Sequence, residues 1–388
     1  MNTAAESVMP NIPPRLRASG FLLVGCQGGA ELPLERRQQR CFPELHKAVW
    51  RRGLVSFRLP GPTTAADSRA AIDWQAAAVP PGLADRLVFA RTVIRSLGQV
   101  TGQSDQDRVA AAGDLTGPAT FAAVHVWKRD LRLDLETEPI EAALAAAFGL
   151  AEEPQPIPAD SLVLDCVVDT ADRWWIGWHL ARSPADCWAG GRYPVSLPAD
   201  AVSRAWLKLD EAIARFALPL EAGQRACELG AAPGGAAQRL LAAGLEVTGV
   251  DPAAIDPRVA DDPRFTHWQK RARDVRVKDL RGCDWLIADM NIDPTSTLAA
   301  LERVLKTSGR RPRGVIATLK LPDWSRAAEL DGWLSRFASW GYQPRVCQLS
   351  TGGRELCLTA LRTPRRRGRP VSRPQPPKSD QTKPDPAV

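Results

Sequence analysis

Ala226-Cys227-Glu228-Leu229-Gly230-Ala231-Ala232-Pro233-Gly234-Gly235 is the stretch whose reading decides the fold. Residues 226–229 read as a short strand, and the small residues after it let the backbone approach a ligand closely. A helix follows over 235–243, and the free amides at its start favour negative charge. The next strand, 246–250, runs into Asp251, which stands 21 residues beyond Gly230. That is the spacing at which an acidic side chain after the second strand meets an adenosine ribose. Working outward, strands are expected at 285–289, 314–320, 344–349 and 355–361. Helices are expected at 201–216, 297–305 and 324–340, with an irregular stretch from Asp251 to Asp279. Strands alternating with helices predict a mostly parallel sheet covered on both faces, an α/β, Rossmann-like domain. The last two strands have no helix between them and should close one edge as an antiparallel hairpin.

The glycine run also discriminates between ligands. A dinucleotide site would show Gly-x-Gly-x-x-Gly, and a triphosphate site would follow its glycines with Lys-Ser/Thr; neither is present. Glu228, two residues before Gly230, suits the amino-acid part of a cationic cofactor. S-adenosylmethionine fits that description better than a nicotinamide dinucleotide does.

In parallel α/β sheets, ligands sit beyond the C-terminal ends of the strands. Asp289 closes the apolar strand Trp285-Leu286-Ile287-Ala288, and Lys320 closes 314–319 before Leu321-Pro322. Glu355 opens the last antiparallel strand, which starts near the same edge. Lys208 lies on the helix before the first sheet strand, in Ser203-Arg204-Ala205-Trp206-Leu207-Lys208-Leu209-Asp210, and alone would read as a surface lysine.

Residues 203–210, the run Gly230 to Gly235, Asp289-Met290, Leu319-Lys320-Leu321-Pro322 and Glu355 together resemble the FtsJ type of Rossmann-fold RNA ribose 2'-O-methyltransferase. The resemblance implies a class I methyltransferase sheet, S-adenosylmethionine as cofactor, and a Lys-Asp-Lys-Glu catalytic tetrad at Lys208, Asp289, Lys320 and Glu355. It also implies cofactor contacts from Glu228, Gly230, Gly234 and Asp251, with Asp274 of Arg271-Ala272-Arg273-Asp274 reaching the adenine. Residues 197–204, Asp284-Trp285-Leu286 and 319–322 look like the branch that modifies a cytidine of large-subunit ribosomal RNA. Members of that branch carry a ferredoxin-like piece and an RNA-binding THUMP domain ahead of the catalytic domain. The likeness is strong over about 195–362 and faint over 20–195.

A ribose 2'-hydroxyl is a poor nucleophile at neutral pH, so a base must take its proton as the methyl arrives. Lys320 is expected to be that base: burial and Lys208 lower its pKa, while Asp289 and Glu355 oppose the shift. No metal is expected, because the leaving group is neutral and side chains handle the nucleophile. A tRNA or messenger-cap ribose as target remains open at this point, as does a non-catalytic RNA-binding protein that kept the fold. A base-modifying enzyme would show an Asn/Asp-Pro-Pro-aromatic motif or a catalytic Cys after the fourth strand, where Asp289-Met290-Asn291 stands instead.

The rest of the chain sets the frame. The sequence is 388 residues long with a formal charge of +7, which favours a polyanionic partner. Two basic stretches, Arg271, Arg273, Arg276 and Lys278, and Arg310, Arg311 and Arg313, are candidates for phosphate contact. The eight cysteines are dispersed without zinc-ligand spacing and read as reduced core thiols, so a cytoplasmic location is expected. Residues 1–19 read as a flexible leader without a signal-peptide core, and no apolar run is long enough to span a membrane. Residues 20–195 read as an α+β RNA-recognition region. It should hold small sheets, strands at Phe21–Cys26 and 54–59, helices at 83–97 and 139–148, and a strand hairpin over 161–168 and 174–179. Pro154, Pro156 and Pro158 mark a linker before that hairpin, and Trp174, Trp175 and Trp178 read as core. Residues 196–362 form the methyltransferase domain, and 363–388 a basic, proline-rich disordered tail. A monomer acting on large-subunit ribosomal RNA or an assembly intermediate is expected.

Overall fold

The computed structural model describes residues 12–17, 19–61, 74, 78–150, 156–306 and 311–363. Most of the expected leader, Pro154 of the linker, Arg310 and nearly all of the tail lie outside the described residues.

A short helix, α1 (Pro14–Arg17), precedes a mostly antiparallel sheet. Its strands are β1 (Phe21–Cys26), β2 (His46–Arg51), β3 (Leu54–Arg58), β4 (Ala90–Thr101), β5 (Ala123–Lys128), β6 (Leu162–Thr170) and β7 (Arg173–Leu180). They lie in the order β2-β3-β1-β4-β7-β6-β5, with only β5 and β6 parallel. Helices α2 (Glu31–Cys41), α3 (Leu83–Leu87), α4 (Asp105–Thr116) and α5 (Glu138–Ala147) complete this part. The small sheets expected over 20–150 are therefore one seven-stranded sheet that also takes in the hairpin β6–β7.

The helix expected at 83–97 is a second correction. Only Leu83–Leu87 is helical; Val88 takes φ 63°, and a twelve-residue strand, β4, follows. Leu83, Leu87, Ile94 and Leu97 mimic a helical period. However, Thr92, Val93 and Ile94 are β-branched, and Arg91 and Arg95 are buried polar residues that break the apolar pattern. Of the three tryptophans, Trp174 and Trp178 are fully buried core residues, and the Trp178 indole donates to the Leu16 carbonyl at 3.1 Å.

The C-terminal half follows the expected α/β order. Helix α6 (Ala205–Phe216) leads into β8 (Arg225–Leu229), α7 (Gly235–Ala242), β9 (Glu246–Val250), α8 (Pro257–Ala260) and β10 (Phe265–Trp268). Then come β11 (Trp285–Ala288), α9 (Pro294–Leu305), β12 (Gly314–Lys320), α10 (Leu330–Ser339), β13 (Tyr342–Cys347) and β14 (Glu355–Arg362). The order is β10-β9-β8-β11-β12-β14-β13: strands β8 to β12 are parallel, and β14 runs antiparallel to both of its neighbours. The strand order reverses direction between β8 and β11, which opens a crevice at their C-terminal ends. The stretch read as irregular contains β10, an edge strand of four residues that is too short to show a period.

Local chemistry explains the shifted ends. Asp293 caps α9 by accepting the Thr295 amide at 2.8 Å, and Pro294 fills the first turn, so the helix begins before residue 297. Asp323 starts a 3₁₀ turn over Trp324–Glu329 that precedes α10 and breaks the single helix expected at 324–340. Pro344 sits in β13, the edge strand, where its missing N–H is tolerated.

The two sheets share one apolar cluster. Leu22, Val24, Phe57 and Phe89 of the first half pack with Leu286, Trp333, Phe337 and Leu356 of the second. Phe89 meets Trp324 edge-on at 5.8 Å, Arg37 pairs with Asp331 at 2.6 Å, and the Gln348 amide donates to the Val88 carbonyl at 2.9 Å. Among the described residues, no helix is long and apolar enough to cross a membrane.

Candidate active site

Four charged side chains from four elements meet at the crevice. Lys320 is the last residue of β12, and the antiparallel register places it directly opposite Glu355, the first residue of β14. Asp289 follows β11, its amide donating to the Leu229 carbonyl at 3.1 Å, which places it beside the glycine turn after β8. Lys208 reaches in from the second turn of α6.

The four form an alternating square. Lys208 Nζ lies 2.7 Å from Asp289 Oδ2 and 3.3 Å from Glu355 Oε1. Lys320 Nζ lies 3.3 Å from Asp289 Oδ1 and 2.5 Å from Glu355 Oε2. Every edge joins opposite charges, like charges face each other across the diagonals, and the formal sum is zero. All four side chains are only partly exposed, Lys320 the most at 25%. Burial pushes the Asp289 carboxyl up, but Lys208 and Lys320 overcome it and hold the group below its usual range. Burial pushes the Lys320 amine down, but Asp289 and Glu355 overcome it and leave the amine above its usual value. The sequence left that balance open; in the free site it favours the ammonium.

Beside the square lies the glycine turn. Gly230 has φ 86°, and a Cβ there would fall 2.8 Å from the Met290 side chain and 2.9 Å from the Asp289 carbonyl, so only glycine lets these two strand ends approach. Gly234 stands at the cap of α7. Asp251 accepts the Ala232 amide at 3.2 Å and the Ala253 amide at 2.8 Å, tying the second strand's end to the turn. Its carboxylate retains lone pairs for a hydroxyl donor.

Glu228 is 1% exposed, and its Oε2 has no hydrogen-bond partner among the described residues. Burial, then the neighbouring Asp289 and Asp251 carboxylates, push its carboxyl well above the usual range. A buried carboxylate without a partner is costly unless a cation or donor completes it. Asp274 is not drawn into this group: its side chain is exposed and pairs only loosely with Arg273, at 3.8 Å.

Comparison with known proteins places the chain in a family. The model of the FtsJ-like methyltransferase family matches residues 201–320. The chain is 31% identical over 261 residues to ribosomal RNA large subunit methyltransferase M of Methylococcus capsulatus, covering 64% of this chain and 71% of that protein. It is 30% identical over 293 residues to the protein of the same name from Xylella fastidiosa, covering 71% of this chain and 81% of the relative. This chain belongs to the FtsJ-like methyltransferases. Their cofactor is S-adenosylmethionine. The donor set fits such a group: Glu228 offers the unpartnered Oε2 of a buried carboxyl to a cationic amine, Asp251 an acceptor to a ribose, and Gly230 a wall without a side chain.

In this FtsJ-like site, sequence reasoning missed a supporting residue, Glu211. It is fully buried on α6, one turn beyond Lys208. Its carboxylate accepts the Ser350 and Thr351 amides, each at 2.8 Å, and the Thr351 hydroxyl at 2.7 Å. It thereby fixes the loop that leads into Glu355. Asp210, beside it, accepts the Tyr193 hydroxyl and the Arg239 guanidinium, both at 2.5 Å. The run Asp210-Glu211 gave no such signal: neighbours on a helix lie about 100° apart, so both acids could have shared its solvated face.

Proposed function

We propose that this chain methylates a ribose 2'-hydroxyl of RNA, at a cytidine of large-subunit ribosomal RNA. In this reading residues 196–362 perform the transfer and residues 20–195 present the RNA. The observation that carries it is the neutral square of Lys208, Asp289, Lys320 and Glu355 beside the Gly230 turn. The names of the relatives, which refer to large-subunit ribosomal RNA, support the class of substrate.

Bound S-adenosylmethionine supplies a methyl group on a cationic sulfur. Glu228 would hold its ammonium, Gly230 and Gly234 would line its passage, Asp251 would accept its ribose hydroxyls, and Asp274 would reach toward the adenine. Lys320 would take the proton from the 2'-hydroxyl as that oxygen accepts the methyl. In the free site the two carboxylates keep Lys320 protonated. A positive charge entering the crevice, together with loss of water around it, works in the opposite direction and lowers the amine's pKa. Lys208, Asp289 and Glu355 would hold Lys320 and the hydroxyl in line with the methyl; a bound near-attack geometry lowers the barrier by avoiding reorganisation.

The test is methyl transfer from labelled S-adenosylmethionine to protein-free RNA from a strain lacking this gene, comparing wild type with Lys320→Ala and mapping the label. A 2'-O-methylcytidine in large-subunit RNA, made only by wild type, is expected. Label at another ribose would keep the mechanism and reject the target. Label on a base would overturn the tetrad.

A further inference from the structure

The N-terminal sheet carries an open cavity of about 680 Å³, lined by Arg51, Arg52, Arg129 and Arg132 together with Trp50 and Asp130. Its volume lies within the roughly 300–1,000 Å³ of pockets that hold small ligands. The sequence builds it from two turns. Trp50 and Arg51 end β2, an edge strand, and Arg52-Gly53 turn the chain into β3. Gly53 has φ 80°, and a Cβ there would lie 1.9 Å from the Arg129 carbonyl, so the turn packs directly on the loop after β5. Glu31, 3% exposed, accepts the Gly53 amide at 2.6 Å and the Gly29 amide at 2.9 Å, which fixes both approaches.

Arg51 donates to the Trp50 carbonyl at 3.1 Å, and acidic or carbonyl partners hold the other three arginines. Asp130 pairs with Arg132 at 2.8 Å and with Arg52 at 3.2 Å, Arg129 donates to the Arg52 carbonyl at 3.1 Å, and the buried Asp169 backs Arg129. Four guanidinium groups against Asp130, Asp169 and Glu31 leave one positive charge in excess. Trp50, 49% exposed, stands at the same wall. An exposed indole beside positioned guanidinium groups is the chemistry that receives an unpaired base and its phosphates.

A relay of contacts joins the cavity to the square. Arg52 Nη2 donates to the Gly28 carbonyl at 3.3 Å, and Gln27 Nε2 donates to the Gly352 carbonyl at 3.3 Å. Gly352 lies against Glu355, 3.2 Å separating Oε1 from where a Cβ would be.

We propose that the cavity binds an unpaired nucleotide of the RNA substrate, on the same strand as the target ribose, with its base stacked on Trp50 and its phosphates on Arg51 and Arg132. This rests on the reading that the substrate is RNA.

The full-length protein is tested by equilibrium binding of a labelled single-stranded oligoribonucleotide and, separately, by methyl transfer to RNA. Trp50 and both arginines are surface residues, so their variants retain the core. Trp50→Ala should weaken oligonucleotide binding about tenfold, and Trp50→Phe, which keeps a stacking face, should restore most of it. The double variant Arg51→Ala, Arg132→Ala should also weaken binding and lower the log–log salt slope by about 1.4, for two phosphate contacts to a single strand. Turnover at saturating RNA should match wild type in all three, so KM moves and kcat does not. Oligonucleotide binding unaltered by Trp50→Ala and by the double variant would overturn the proposal. So would equal losses on duplex and single-stranded RNA. Binding that depends on Trp50 in a protein that transfers no methyl to RNA would keep the cavity and reject the activity. Methyl transfer with an unaltered KM in all three variants would do the reverse.

Discussion

Removing the Glu211 carboxylate should loosen the loop that delivers Glu355 without touching the cofactor crevice. In Glu211→Ala, two amide hydrogen bonds to a carboxylate and one from a hydroxyl are lost, at Ser350 and Thr351. Hydrogen bonds to charged groups contribute about 1.5–3 kcal/mol each. Ser350 and Thr351 are half-buried, so water replaces part of that, and about 2–4 kcal/mol of local stability should go. The direct assay is amide hydrogen exchange over the segment containing residues 348–353. With each 1.4 kcal/mol worth tenfold, exchange there should speed up by roughly 30- to 700-fold. Exchange in β8 and β11 should stay at wild-type rates. Glu211→Gln keeps one acceptor oxygen and should fall between the two. Because Glu355 anchors one corner of the square, kcat should drop by up to about 10²-fold, as for a misplaced reacting group, with cofactor affinity retained. Wild-type exchange at 350–351 in Glu211→Ala would refute the reasoning: the carboxylate would then not be what holds the loop.

Lys320→Ala should lose about 10²–10⁴ in turnover, the range of a positioned proton transfer, while calorimetry finds cofactor affinity close to wild type; parallel losses of both would remove Lys320 as the base. Burial, then Asp289 and Asp251, hold the Glu228 carboxyl well above the usual range, which favours its protonated form before the cofactor binds. A bound cation favours its ionised form, so cofactor affinity should rise with pH until the free carboxyl ionises. Calorimetry in buffers of different ionisation enthalpy should detect the released proton, and a pH-independent affinity would exclude Glu228 as the ammonium's partner. His179 is a separate test of the N-terminal sheet. Burial lowers its pKa, but the Asp165 charge and hydrogen bond, with Asp186 nearby, overcome it and raise the imidazole to about 9, while burial drops the adjacent His125 to about 4. A raised pKa means that the His179 contribution is full below about 6.5, the unfolded value, and is lost as pH rises through about 9. Urea unfolding of that sheet should show this alkaline loss, and His179→Asn should abolish it; an identical alkaline profile in the variant would assign the loss elsewhere.

What could be read from the sequence depended on how each residue's environment is encoded. The β8 turn, β9, β11 and β12 were legible because these parallel strands are largely apolar and run into a glycine or a charge. Strand β4 was not, because it buries Arg91, Arg95 and Ser96 between two neighbouring strands; tertiary partners, invisible in one sequence, override the local pattern. Strand β2 is exposed almost along its whole length and shows no alternation for the same reason that it can carry the Trp50 cavity: it is an edge. Within the square, Asp289, Lys320 and Glu355 could be placed from strand ends alone. Lys208 could not: on α6 it reads as one more helix-surface lysine, and only the resemblance brought it in. The geometry supplies the physical reason for its presence. Without Lys208, Asp289 and Glu355 would share the single cation Lys320 at a half-buried mouth, leaving one negative charge uncompensated. In Lys208→Met that surplus should hold Lys320 still more firmly as the ammonium and shift the rising limb of the pH–rate profile to higher pH. A variant that loses rate without moving that limb would limit Lys208 to orienting the substrate.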